Sequence, residues 1–500
     1  MQLEEDATLV DDVVVIGYGV QKRQFLVGSV SQVSNKELLK APMTNVSNMM
    51  TGKLPGVTSI QRSGQPGSDQ TTLLVRGAST FNDSSPLCIV DGVERMINTV
   101  NPNDIESISI LKDAATSAIY GVRGANGIIL ITTKSGSKGE ASISYDGSVT
   151  FSTNTSMPEL LNARDYIGWH NKAREMDGLN PLWTDEVIAG MKEKGIYGDT
   201  DWLNLLFKKY GFTHQHNISA TGGTDKIKYY TSIGLMDQDG ILPNTSYKRF
   251  NVRSNIDAKI ARNLNLSVNL SGFREKKHAP GYSIAKQNEF SPVSQAIYAL
   301  PILAPTYKGM PQGYLNGVYT QQPIAAINQS GYTDQQRWQF EGNAKLEYDF
   351  GSIDALQGLK AAVHVSYDYS NTVNRNYMSS FKLMSFSTTT MDSSEVNASG
   401  INTLNDFNRS ASDGDSFTVR PTLTYNRDFG RHSVGGLFFY EQRKGYSETM
   451  TGYKKGYYAN YPVDLSIGNT WEGISVPVTG SFGETGIASF AGRFNYAFDK

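Results

Sequence analysis

The residues best placed to do chemistry are His214 and His216 in "THQHN", which an extended chain would project from one face as a metal-binding pair does. Two histidines without a third ligand do not make a site, so the pair reads as strand surface and no metal is assigned. Asp237 and Asp239 in "MDQDG" have the look of paired carboxylates, but Asp-Gly suits a hairpin turn better than a glycosidase pair. The chain contains no GxSxG elbow, HExxH, phosphate-binding loop or dinucleotide fingerprint, and "GYGVQKR" lacks both a third glycine and a strand-to-helix context. The single cysteine, Cys88 in "PLCIVDG", excludes an internal disulfide and most cysteine metal sites, and it reads as a strand residue. No catalytic residue and no cofactor is expected, and the chain is not read as an enzyme.

A different kind of chemistry is written in "DDVVVIGYGVQKR", residues 11–23. Four consecutive β-branched residues, Val13, Val14, Val15 and Ile16, follow Asp12 and precede Gly17, Tyr18 and Gly19. Such a run has strong strand propensity and no obvious local partner, which points to pairing with another protein.

The bulk numbers narrow the class. Glycine (48), tyrosine (27) and phenylalanine (21) are abundant and only 19% of residues are charged, a profile of many turns and aromatic-bearing strands. A net charge of -2, with no basic tract, gives no reason to expect nucleic acid. No run of 18 apolar residues exists to form a membrane helix, whereas a mean hydropathy of -0.37 suits a membrane β-barrel, whose strands alternate apolar and polar residues. The acidic start "MQLEEDATLVDD" lacks the features of a secretory signal, so the protein is either cytosolic or a trimmed exported chain.

From about residue 140 that alternation is visible. Apolar residues recur with a period of two at Ile143, Tyr145, Val149 and Phe151, and at Phe250, Val252, Ile256, Ala258 and Ile260. They recur again at Leu264 to Leu270, Trp338 to Phe350, Leu359 to Tyr369, Phe417 to Tyr425, Val434 to Tyr440 and Phe490 to Phe498. With segments near 213–220 and 227–235 the count is about ten, each about nine to thirteen residues, the length a tilted strand needs to cross a bilayer. Short links alternate with long ones of roughly 60, 14, 64, 47 and 45 residues, which a barrel crossing back and forth produces and a soluble sandwich does not.

Residues before 138 break the pattern. Short apolar strands ("TLLVRG", "LCIVDG", "SISILK", "GIILITTK") mix with expected helices at Asn45 to Lys53 and Asp113 to Tyr120, the mark of a small α+β domain in front of the barrel. About ten strands are too few to enclose such a domain, which needs a barrel near 22 strands, so the chain is expected to stop about halfway. The division expected is 1–24 for a leading segment, 25–138 for the small α+β domain and 139–500 for the N-terminal part of a transmembrane barrel.

The stretch "DIESISILKDAATSAIYGVRGANGIILITTK", residues 104–134, strongly resembles the plug signature of TonB-dependent outer-membrane transporters. Its "LKDAA", "AIYG" and "RGANG" are similar to the SusC-like branch of Bacteroidetes, as are "TGKLPGVTSIQRSGQPG", "LLVRGAST", "GDTDWLNLLF" and "GLMDQDGILPNTSYKRF". The resemblance implies a barrel of 22 antiparallel strands with the plug in its lumen, seated in the outer membrane. It implies that Asp12 to Tyr18 form the TonB box, gripped by TonB through β-augmentation and pulled with the ExbB and ExbD motor. It further implies a SusD-like surface lipoprotein as lid and an oligosaccharide or peptide as cargo. Siderophore or cobalamin receptors of the same fold, and a non-transporting adhesin or structural barrel, are the alternatives; a soluble β-rich hydrolase would be extracted without detergent. Arg76 in "LLVRG" and Arg123 in "GVRGANG" are expected to pair with barrel carboxylates. Trp169, Trp183, Trp202, Tyr282, Tyr298, Tyr307 and Tyr314 lie in long loops where rings could stack on sugars, but none is assigned as a site.

Overall fold

The computed structural model describes residues 13–499 apart from 17–18, 23–29, 41–42, 79, 81–82, 114–116, 282–290, 398–404, 458–463 and 467–477. Strands β1 (Val13–Ile16) and β2 (Gly19–Lys22) form a hairpin, with Val15 opposite Val20. The valine run therefore has a local partner, contrary to the sequence reading. Closing so short a loop costs little entropy, so the nearest extended segment takes the first edge offered.

The plug follows with β3 (Val30–Ser34), β4 (Val57–Gln61), β5 (Thr71–Val75), β6 (Leu87–Val90), β7 (Val93–Glu94), β8 (Ile105–Leu111) and β9 (Ile128–Thr133). Its main sheet runs β3-β8-β9-β6-β7, with β6 and β9 parallel, while β4 and β5 form a separate hairpin. Ile108, Ile110, Ile129 and Ile131 are buried in one cluster with Val46, Met50 and Leu54. The central strand β9, with Ile128 to Ile131 all buried, is apolar on both faces, as a strand covered on both sides must be. The first expected helix is Val46–Met49, capped by the Asn45 side chain. The second is a 3-10 helix over Ala118–Gly124, kinked where Gly121 has φ 60°.

The wall is a ten-stranded, wholly antiparallel sheet. It comprises β10 (Gly139–Ser152), β11 (Gly211–Gly223), β12 (Ile227–Asp239), β13 (Ser246–Ala261) and β14 (Leu264–Pro280). A loop region with β15 (Thr306–Tyr307), β16 (Met310–Leu315) and β17 (Val318–Tyr319) then intervenes. The wall resumes with β18 (Gly331–Asp349) and β19 (Leu359–Met378) and, after loop strands β20 (Lys382–Phe386) and β21 (Ser393–Asn397), with β22 (Asp406–Phe429), β23 (His432–Lys455) and β24 (Val478–Phe498). Each wall strand pairs with its neighbours in this order, leaving β10 and β24 as edges.

Two expectations about the wall need correction. Its strands run from 13 residues in β11 to 24 in β22 and β23, longer than expected. The apolar alternation marks only the part facing lipid, and the backbone ladder continues past it with polar residues on both faces. That extension also shortens the connections, so the second long link is only 240–245, shorter than the turn 350–358 at the other end. One irregularity lies in the ladder between β22 and β23, which is interrupted at Arg420 and Pro421. Proline has no N–H to give a neighbouring strand.

The outward face carries the apolar set read from the sequence. Phe250, Val252, Ile256, Trp338, Phe340, Leu346 and Tyr348 are exposed, while Arg249, Asn251, Arg253 and Asn255 between them are buried toward the plug. From Trp338 to Tyr348 the strand rises about 33 Å along its axis, or about 25 Å once tilted, the height of a barrel's lipid-facing band. Aromatic residues mark both of its rims.

Candidate functional site at the junction of plug and wall

The plug meets the wall through hydrogen bonds and ion pairs. Asp104, at the end of a 3-10 turn (Pro102–Asp104) preceding β8, accepts from the Tyr230 hydroxyl at 3.0 Å and the Ser232 hydroxyl at 2.6 Å, both on β12. The Arg253 guanidinium on β13 lies 3.6 Å from Asp104 and 3.5 Å from Asp91. Asp91 sits in the β6–β7 turn with φ 49° and also accepts from the Thr133 amide and hydroxyl. Arg249, stacked 4.3 Å above Phe273, donates to the carbonyls of Asn98 and Thr99.

A second cluster lies further round the wall. Arg95 of the plug makes two hydrogen bonds to Asp368 of β19 and lies 3.7 Å from Glu341 of β18. Glu94 accepts from Arg123 at 2.6 Å and from Arg443 of β23 at 2.5 Å. Arg420 donates to the Gly92 carbonyl at 2.9 Å and to Glu441 at 3.1 Å. Buried pairs of this kind add little net stability, because desolvation offsets their attraction, but breaking one partner is costly. They fix the seating of the plug while leaving its own apolar core intact.

The arginines expected at this interface divide. Arg123 reaches the wall, with Glu441 at 3.5 Å, as well as Glu94 of the plug. Arg76 instead pairs with Asp113 of the plug itself and is largely exposed. It occupies a left-handed backbone position, φ 61°. Of the expected tether residues, Val13 to Ile16 form β1, while Asp12, Gly17 and Tyr18 lie outside the described residues.

Asp91, Glu94, Arg95, Arg253, Arg420 and Arg443 were missed by sequence reasoning. A signal for the wall members existed: in "KRFNVRSNIDAKI" the polar residues alternating with the apolar set are Arg249, Asn251, Arg253 and Asn255. For a chain read as a barrel those positions face the lumen.

A chamber of about 980 Å³ lies between the plug and the wall. Asp69, Arg95, Asn98 and Arg123 contribute to it from the plug, with Arg337 and Asp368 among the wall residues. Charges of both signs and amide groups line it, which suits a polar, many-hydroxyl or peptide-like solute held by hydrogen bonds. Burial pushes the Asp69 carboxyl above the usual carboxylate range, with donations from Thr44 and Asn45 working against that rise.

The loop aromatics mostly serve packing. Trp183 and Trp202 are buried in two apolar clusters of the loop region, and Trp202 donates from its indole to the Leu300 carbonyl at 2.9 Å. Trp169 and Tyr298 are exposed, and Tyr282 falls outside the described residues. His214 and His216 lie 3.3 Å apart on the outward face of β11, and no cluster of three or more metal-binding side chains occurs among the described residues.

Comparison with known proteins places these features in context. The model of the TonB-dependent Receptor Plug Domain family matches residues 22–128. The TonB-dependent receptor SusC of Bacteroides thetaiotaomicron is 36% identical over 266 residues, covering 51% of this chain and 25% of that receptor. The TonB-dependent receptor P26 of Formosa agariphila is 35% identical over 294 residues, covering 57% of this chain and 29% of that one. Among solved structures, the RagAB peptide importer in its open-open state superposes with a TM-score of 0.81 and 25% identity, over 98% of this chain and 55% of that chain. The ferric citrate transporter FecA, unliganded, shares the fold at a TM-score of 0.55 and 9% identity, over 94% of this chain and 54% of that chain. The matches thus span between a quarter and just over half the length of these relatives.

Proposed function

We propose that this chain, of the SusC-like TonB-dependent transporter kind, is the plug and part of the barrel wall of an outer-membrane protein that actively imports oligosaccharides or peptides. The observation that carries this reading is the polar seating of the plug: Asp91, Arg95 and Asp104 meet Arg253, Asp368 and Tyr230 across a junction with little apolar content. Such contacts exchange for water at modest net cost, so a pull on the N-terminal segment can rearrange the plug without unfolding the wall.

In this reading Asp12 to Tyr18 are the segment TonB grips, with ExbB and ExbD supplying the work. Val13 to Ile16 would leave their pairing with β2 and add to the edge of TonB. A SusD-like lipoprotein covers the mouth formed by the long loops, and the chamber beside Arg95 and Asp368 receives the cargo. The likeness to a peptide importer supports peptide as firmly as glycan.

Val15→Pro in the full-length protein tests the coupling, because proline cannot donate to an added strand. The expected result is loss of energised uptake with binding of cargo to whole cells retained. Uptake at the wild-type rate would refute the assignment of the TonB box.

A further inference from the structure

Just beyond the apolar band, on the side of the long loops, the outward face of the wall carries basic residues. Phe250, Arg274 and Trp338 are direct cross-strand neighbours, with the Arg274 guanidinium 4.6 Å above the Trp338 ring. One outward row further from the band, Lys248 on β13 stands directly opposite Lys276 on β14. In the next row His278, Asp334, Arg375 and Arg409 follow one another across β14, β18, β19 and β22, with Arg375 directly opposite Arg409. Like charges placed directly opposite across a ladder destabilise it, and here two such pairs stand close together.

The acids nearby pair with only one of these cations, Lys248, and with His278. Asp237 bridges to Lys248 at 2.6 Å and Asp334 to His278 at 2.7 Å. Asp464, in the loop after β23, feels the positive charge of Arg409 and Arg375, yet its own hydrogen bonds are to Ser466. Among the described residues Arg274, Lys276, Arg375 and Arg409 make no ion pair or hydrogen bond through their side chains. Lys276 and Arg375 are two strands and one row apart, or about 12 Å, a span that a headgroup with more than one anionic group can bridge.

We propose that Lys248, Arg274, Lys276, Arg375 and Arg409 form a binding site for a phosphate-bearing lipid headgroup of the outer leaflet. The acyl chains lie against Phe250, Trp338 and Phe340, and the phosphates sit between the two like-charge pairs. The site rests on the outward face lying in the outer membrane and is independent of what the lumen carries. Phosphate accepts the multiple charge-assisted hydrogen bonds that arginine and lysine offer at the edge of a hydrocarbon layer.

The test uses full-length protein in mild detergent, titrated with diphosphorylated lipid A in mixed micelles and followed by native mass spectrometry. Dephosphorylated lipid A and inorganic phosphate serve as comparison ligands. Lipid A is expected to bind saturably and more weakly as salt rises, and each double variant, Lys248→Gln with Lys276→Gln or Arg375→Gln with Arg409→Gln, is expected to weaken it about thirtyfold. Equal binding by wild type and both variants, or equal binding of the dephosphorylated lipid, would overturn the site. Displacement of the lipid by millimolar inorganic phosphate would also overturn it, in favour of a free-anion site. The lipid-free variants are expected to melt no lower than lipid-free wild type, since a repulsion has been removed. A lower melting temperature would show that these residues serve the fold instead.

Discussion

Arg253→Met in the full-length protein is the sharpest test of how the plug is held. The arginine side chain is 3% exposed and lies within 3.6 Å of two plug carboxylates, Asp91 and Asp104, which are themselves almost fully buried. Removing one partner of a buried ionic group typically costs 3–5 kcal/mol, because the remaining charge is left in a poorly solvating site. Here both carboxylates keep other donors, Thr133 for Asp91 and Tyr230 with Ser232 for Asp104, so the lower end, about 3 kcal/mol, is expected. That energy corresponds to an unseated population raised about a hundredfold or slightly more. Hydrogen exchange of peptides covering β6 to β8 reads it directly, since exchange in the fast-closing regime follows the opening equilibrium. The expected result is faster exchange of that order at the plug and no change in β18 and β19. Adding Asp91→Asn should restore part of the loss, because it removes one of the two stranded charges. Plug exchange within about threefold of wild type would refute the view that this ionic group seats the plug.

Three further outcomes are expected. Gly136 lies so close to β12 that a Cβ would collide with the Tyr229 amide nitrogen, so Gly136→Ala should displace the link between plug and wall and lower stability by about 1–3 kcal/mol; an unchanged melting temperature would count against that close approach. Trp202→Ala should cost the loop region about 3–5 kcal/mol and speed exchange in 153–210 while leaving the plug unaffected; equal acceleration in both would show that they are not separate units. His170 packs between Tyr166 and Trp183 with an unpartnered Nδ1, and burial, with Arg174 nearby, holds its pKa below the ordinary 6.5. The native loop therefore binds fewer protons than the unfolded one, its stability is complete above pH 6.5, and it falls as the pH drops below that value. Trp183 fluorescence should report the loosening, and His170→Phe should flatten the profile.

Much of this architecture is legible in one dimension because its physics is periodic. Lipid on one side and a wet lumen on the other impose a period of two on every crossing, so Phe250, Val252 and Ile256 announce a wall strand without any knowledge of its neighbours. The central plug strand is equally plain, since the continuous apolar run of "GIILITTK" reads as buried on both faces. Helix boundaries and strand ends were less readable. The backbone ladder of β22 and β23 runs on where apolar alternation has ceased, and nothing local distinguishes an extended polar strand from a loop.

The wall, its lipid-facing rows and the small α+β domain ahead of it were therefore set by the sequence alone, through hydrophobic period and turn chemistry. Tertiary structure decided which charges meet. Arg76 and Arg123 occur in similar Arg-Gly contexts, yet one pairs with Asp113 within the plug and the other reaches Glu441 of the wall. Arg95 finds Asp368 across 273 residues of chain, and Lys248 faces Lys276 only because the register of β13 and β14 brings them level. Ionic partners are chosen by three-dimensional register and desolvation, neither of which leaves a periodic trace along the chain.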